Sequence, residues 1–153
     1  MIVVATEAEY NRFKSDNQKI IMTGVGYANV FKALADIPRD TPIINIGYAG
    51  SNSIPIGKVC AIGECRHYHP NVEYAEETYK LPGNYTCFTS DDFVLKTDID
   101  YPVVFDMELY AIMSMGFTNV VAIKIVSDNL SIEEYESKVE KDANVCKGEE
   151  FDD

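Results

Sequence analysis

The chain has 153 residues, 46% hydrophobic and 11% aromatic, which suits one domain (1–153) around a single core. Its 25 acidic against 13 basic residues give a net charge of −12, which repels nucleic-acid backbones and anionic membrane surfaces, so neither is expected as a partner. No apolar run approaches the roughly 20 residues of a membrane span, and Met1–Ala5 is too short for a signal peptide's apolar region, so a cytoplasmic protein is expected. The charge otherwise serves solubility, with an acidic C-terminal tail from about Lys147. Cys60, Cys65, Cys87 and Cys146 lack CxxC spacing and read as reduced thiols.

In chain order, Ile2–Ala5 reads as a buried first strand and Thr6–Asp16 as a short helix with an acidic start, which puts Glu7 and Glu9 at a strand exit. Lys19–Thr23 is a second strand. Gly24-Val25-Gly26 then leads into a helix over Ala28–Ile37, whose Val30, Phe31, Leu34 and Ile37 form one stripe. The two glycines fit either a plain tight turn or a helix start facing an anion. Pro42–Gly47 is an apolar strand predicted to end in a small-residue turn, Gly47-Tyr48-Ala49-Gly50-Ser51, where backbone amides approach a ligand. Lys58–Tyr68 is a longer strand. Cys65, His67 and His69 alternate along it as metal ligands do, but no fourth ligand at a recognisable spacing accompanies them, and no metal is expected.

Asn71–Asn84 reads as a surface connection and Tyr85–Thr89 as a strand closed by Ser90-Asp91-Asp92-Phe93; Phe93 suits either stacking on a base or a place in the core. Val103–Gly116 (VVFDMELYAIMSMG) carries two carboxylates from a buried strand into a helix. Asp106 and Glu108 either start that helix or, in the case of Glu108, face a ligand at the carboxyl end of the sheet, where an acceptor-only carboxylate suits the two donors of a ribose diol. Val120–Val126 is the most strand-like run, ended by Ser127-Asp128-Asn129. Ser131 and Glu134 form a capping box for a helix with Ile132, Tyr135, Val139 and Ala143 on one face. Lys124, inside that apolar strand, requires a carboxylate partner, with Asp128, Glu108 and Glu7 or Glu9 as the candidates. Strands alternating with helices predict a three-layer α/β/α fold with a central, mainly parallel mixed sheet.

The runs Thr23-Gly24-Val25-Gly26, Ile44–Gly50 (INIGYAG), Thr89–Phe93 (TSDDF), Asp106-Met107-Glu108 and Ser127-Asp128 resemble, in order and placement, the nucleoside phosphorylase superfamily, most closely the bacterial 5'-methylthioadenosine/S-adenosylhomocysteine nucleosidases. The resemblance turns the reading of Glu108 toward a ligand. It implies that Glu108 holds the ribose diol and Met107 packs on the sugar, that Asp128, steadied by Ser127, is the general acid toward purine N7, and that Phe93 and the backbone of Val94 contact the base. It implies further substrate contacts at Tyr48, Ala49, Gly50 and Lys124, a water-activating glutamate at Glu7 or Glu9, no cofactor, and a homo-oligomer, a dimer, that completes the pocket for the 5' substituent. Lys124 stands where these enzymes usually have arginine, and the chain is shorter than typical members, contracting between Phe13 and Gly24, Pro82 and Cys87, and Val94 and Val103.

The expected activity is hydrolysis of a purine nucleoside such as methylthioadenosine or S-adenosylhomocysteine, with phosphorolysis and non-catalytic nucleoside binding as alternatives. A phosphate nucleophile needs cationic or multiple amide partners. Ile43–Ile46 offers no charge, the Tyr48 ring is expected to crowd that space, and only Lys124 and the amides after Gly24 remain as a weak anion site.

Overall fold

The structure, a computed structural model, describes residues 1–69 and 77–151, with side chains described through 144. The expected connection Asn71–Asn84 therefore lies partly outside the described residues, as do the Cys146 side chain and the end of the acidic tail.

β1 (Ile2–Val4) is wholly buried because it runs between two parallel neighbours, β2 (Ile20–Met22) and β3 (Ile43–Ser51), which explains its unbroken apolar sequence. β4 (Val59–His67), β5 (Tyr79–Lys80), β6 (Tyr85–Thr89), β7 (Val104–Asp106) and β8 (Val120–Asp128) complete the sheet. Five of the described pairings are parallel (β1–β2, β1–β3, β3–β8, β4–β6, β6–β7) and three antiparallel (β3–β7, β4–β5, β4–β8), which makes the sheet mixed and mainly parallel as expected. The cycle β3–β8–β4–β6–β7–β3 closes on itself, and β1 and β2 extend from it. Of the helices, α1 (Glu7–Phe13) packs on α4 (Ile132–Phe151) and α2 (Tyr27–Leu34) on α3 (Leu109–Ser114). One hydrophobic core runs through these elements, from Val3, Val30 and Leu34 to Ile112, Phe117 and Val126. Among the described residues no helix is long and apolar enough to cross a membrane.

Several expected boundaries move. Gly47–Ser51 is strand, not turn. β3 keeps pairing with β8 through Gly50, with a register shift between Ala49 and Gly50, and its last two residues, Gly50 and Ser51, pair with β7. Part of the expected surface connection is β5, whose Tyr79 pairs with Cys65. α2 stops at Leu34 and leaves Phe31 exposed, so only Val30 and Leu34 of the predicted stripe are buried within the helix. At the start of α4, Ser131 Oγ accepts the Glu134 N–H at 3.2 Å, but the Glu134 carboxylate accepts from Asn129 N at 3.0 Å instead of closing the box on Ser131. The backbone of α4 stays helical through Phe151, past the point where a tail was expected.

Lys124 is enclosed in the sheet, 1% exposed, and its Nζ lies 2.9 Å from Asp106 Oδ2. The partner is none of the carboxylates proposed from the sequence. Asp106 also accepts from Thr89 Oγ at 2.5 Å, from Cys87 Sγ at 3.3 Å and from Leu109 N at 2.8 Å. Burial opposes its charged form, but Lys124 and these donors hold its carboxyl below the usual range. Burial likewise works against the ammonium, but the charge of Asp106, together with nearby Cys87 and Glu108 and the hydrogen bond to Asp106, raises Lys124 above its ordinary value. Lys124→Met leaves this carboxylate buried without its counter-ion and is expected to destabilise the fold by about 3–5 kcal/mol. Urea unfolding checks this: the midpoint falls while the slope is kept.

Candidate active site

Four buried carboxylates line one cavity of about 200 Å³: Asp106, which is paired to Lys124, and Glu9, Glu108 and Asp128, which follow or end three different strands. The cavity is lined by Thr6, Glu9, Tyr48–Gly50, Asp92–Val94, Phe105–Glu108, Ser127, Asp128 and Tyr135, among others.

Glu9 arrives from the first turn of α1, where it caps the helix. Thr6 Oγ accepts the Glu9 N–H at 3.2 Å, while Glu9 Oε1 accepts from Thr6 N at 3.1 Å and from Ala5 N at 2.8 Å. Its Oε2 takes the Tyr48 N–H of β3 at 2.8 Å. Gly47 permits that approach, since a Cβ there would lie 2.7 Å from Glu9 Oε2. Glu7 is exposed and outside the lining, so Glu9 alone of the two candidates reaches the cavity. The Thr6-x-x-Glu9 spacing is itself a capping-box signature and was the unused signal that separates them.

Glu108 sits just past β7, and its Oε2 accepts the Gly26 N–H at 3.2 Å. The two readings of the Asp106/Glu108 pair divide between the residues, because Asp106 receives the first N–H of α3 while the Glu108 side chain turns to the cavity. Burial, reinforced by the negative charge of Asp106 and Glu9, pushes the Glu108 carboxyl up to about 8, against the opposing pull of Lys124.

Asp128 ends β8. Ser127 Oγ donates to its Oδ1 at 2.6 Å, and Leu130 N and Ser131 N donate to its Oδ2 at 3.0 and 3.2 Å. Leu130 adopts φ 64°, a left-handed conformation that costs a leucine energy and turns its N–H back to the carboxylate. Asn129 ties the same turn to Ser51 O and Ile54 O. A Cβ at Gly50 would come within 2.9 Å of Asp128 Oδ2, so β3 is bare at both places where it passes a site carboxylate. Burial raises the Asp128 carboxyl even though the Ser127 hydroxyl and two amides favour its charge.

Met107, Phe93, Val94, Ala49, Gly50 and Tyr48 all line the cavity, as expected of substrate contacts. The Tyr48 hydroxyl is drawn to Asp142 Oδ2 of α4 at 2.5 Å, in a cluster with Lys138 and Arg12. Lys124 departs from expectation: its ammonium is sealed against Asp106, and the residue is not part of the lining. The weak anion site after Gly24 is likewise taken, with Gly26 N given to Glu108 and Tyr27 N to Asp91 Oδ1 at 2.9 Å. His67 and His69 lie side by side, their ring centroids 3.8 Å apart, but Cys65 does not join them in a set of three. Cys65 Sγ lies 3.9 Å from Thr89 Oγ, and His67 stacks on Tyr110 and meets His69 edge-on. Among the described residues no group of three His, Cys, Asp or Glu is placed to hold a metal. Asp106 and Tyr135 are lining residues that the sequence did not reveal as such. The need of Lys124 for a partner pointed to an unassigned carboxylate, whereas Tyr135 carried no signal beyond the apolar face of its helix.

No family model and no curated protein matches the sequence. Solved structures do match the fold. MTAN from Chlamydia trachomatis bound to MTA superposes with a TM-score of 0.73 at 18% identity, over 92% of this chain and 90% of that one. Futalosine hydrolase of Helicobacter pylori gives 0.70 at 13% identity, over 93% and 91%. S-adenosylhomocysteine nucleosidase from Streptococcus pyogenes in complex with 5-methylthiotubericidin gives 0.67 at 15% identity, over 90% and 88%. Along about nine-tenths of its length, then, this chain has the fold that these three solved structures share.

Proposed function

We propose that the protein is a purine nucleoside hydrolase, acting on a nucleoside of the methylthioadenosine or S-adenosylhomocysteine kind. The observation that carries this reading is the set of three carboxylates, Glu9, Glu108 and Asp128, around one cavity whose described lining contains no lysine, arginine or histidine. The MTA and 5-methylthiotubericidin bound to proteins of the same fold support the choice of ligand class.

Cleavage of an N-glycosidic bond builds positive charge on the sugar and negative charge on the departing base. Carboxylates suit the first. Glu108 accepts the two ribose hydroxyls, and Glu9, its position fixed by three amides, accepts a proton from the attacking water. Asp128, raised by burial, donates its proton to N7 as the C1'–N9 electron pair leaves with the base. Water oxygen bonds to C1', so the products are free base and free sugar. The lining offers a phosphate dianion no cation, and the two amides that open α2 are already spent on Glu108 and Asp91. A dimer that completes the pocket is kept in this reading. Met22, Val25 and Phe31 are exposed, and Val25 borders the cavity.

The test is base release. Methylthioadenosine in phosphate-free buffer is expected to yield adenine and free thioribose, at a rate that millimolar phosphate does not raise. A sugar 1-phosphate formed at a rate saturating in phosphate would make the protein a phosphorylase, and tight binding without turnover would make it a binding protein.

Asp128→Asn removes the proton donor and preserves shape, so kcat should drop by about 10² to 10⁴-fold while the unfolding midpoint is little changed. Steady-state kinetics with an unchanged kcat would take Asp128 out of the mechanism.

Glu108 gives a pH dependence with a definite sign. A diol donates two hydrogen bonds and so binds the carboxylate, whereas the cavity by itself favours the neutral acid up to about 8. Binding must therefore expel a proton below that pH, and nucleoside affinity should tighten by up to about tenfold per unit as pH rises toward 8, then level off. Calorimetric titration in two buffers of different ionisation heat measures the released proton, and Glu108→Gln should bind more weakly with a flat profile.

A further inference from the structure

We propose that Tyr135 is a further reactant-contacting residue of this cavity, its hydroxyl donating a hydrogen bond to an acceptor atom of the bound reactants while its ring closes the wall between Phe93 and Tyr48. This rests on the nucleosidase reading above. Tyr135 enters the cavity from the first turns of α4. Its ring meets Phe93 at 5.8 Å and Tyr48 at 6.4 Å, edge-on in both cases, so three aromatic rings follow one another along the wall.

The two tyrosines differ in what their hydroxyls do. That of Tyr48 is committed to Asp142, whereas that of the half-buried Tyr135 has no partner among the described residues. The remaining charged groups of the lining, Glu9, Asp92, Asp106, Glu108 and Asp128, are carboxylates, and the Ser127 hydroxyl is spent on Asp128. A purine nucleoside and a water molecule bring acceptors as well as donors, so a cavity rich in acceptors gains from one neutral donor. Burial, followed by the charges of Glu9, Glu108 and Asp128, pushes the Tyr135 phenol up to about 12, so it keeps its proton at neutral pH and feels all three site carboxylates. An acceptor lying between those carboxylates is a ring nitrogen of the base or the oxygen of the attacking water, and Lys124, held behind the lining, supplies no cation to compete for it.

Tyr135→Phe keeps the ring and deletes the donor. With methylthioadenosine as substrate it should lower kcat/KM by about 3- to 10-fold, the worth of one neutral hydrogen bond, with the thermal midpoint unchanged. Calorimetric binding of free adenine separates the two acceptors. If the contact is to the base, the Kd of adenine weakens by a similar factor and KM rises. If it is to water, adenine binding stays constant and the loss falls on kcat. Tyr135→Leu, which also removes the ring, should weaken adenine further. Unchanged kcat, KM and adenine affinity in Tyr135→Phe would overturn the proposal. A wild-type protein that binds adenine but releases no base would sink the nucleosidase reading instead, and adenine affinity alone would then decide for or against Tyr135.

Discussion

A single ammonium inside the sheet sets the positions of the parts around it. Lys124 lies on β8 and Asp106 on β7, and their 2.9 Å pair is completed by Thr89 from β6 and by the first N–H of α3. Three strands and a helix thus meet at one carboxylate. Two residues past Asp106 stands Glu108, and four past Lys124 stands Asp128, so two of the three site carboxylates are spaced by a bond neither of them makes. Desolvating two charges is expensive, and the pair is tolerated because its hydrogen-bond partners are in place.

The second constraint is the bareness of β3. Ladder pairing brings this strand past both Glu9 and Asp128, and at each crossing the residue is glycine. Much of the polar surroundings of these carboxylates is consequently main chain: N–H groups of Ala5, Thr6 and Tyr48 on one, of Leu130 and Ser131 on the other. Tyr48 N donates from within β3 and the other four from the turns where β1 meets α1 and β8 meets α4, and main-chain donors pinned at such junctions have little freedom to relax.

The alternation of elements and the clustering of acidic residues at strand exits were legible in the sequence, because buried parallel strands must be apolar along their whole length and side chains that face a ligand fall where such runs stop. Ile2–Val4 follows that logic closely, and Val120–Val126 does so except at Lys124. Gly47–Ser51 did not, since small residues mark both a turn and a strand that another group must approach, and composition does not separate the two. Lys124 announced that it needed a partner without saying which, because the answer depends on β7 lying close to β8 across a sheet of mixed direction. Glu9 could have been told from Glu7 by the capping spacing to Thr6. Tyr135 could not have been found, since its place at the cavity depends on how the chain turns between β8 and α4, and the left-handed Leu130 in that turn is invisible to periodicity.

The shared use of Glu9 by a helix start and by the cavity has a thermodynamic meaning. A glutamate free on a surface explores many rotamers, and fixing it for a reaction costs up to about 2 kcal/mol of conformational entropy. Here that entropy is surrendered during folding, when the carboxylate closes the capping box and takes the Tyr48 amide. Any ligand entering the cavity therefore meets an acceptor that is already immobile, and little of its own binding energy is consumed in arranging that carboxylate.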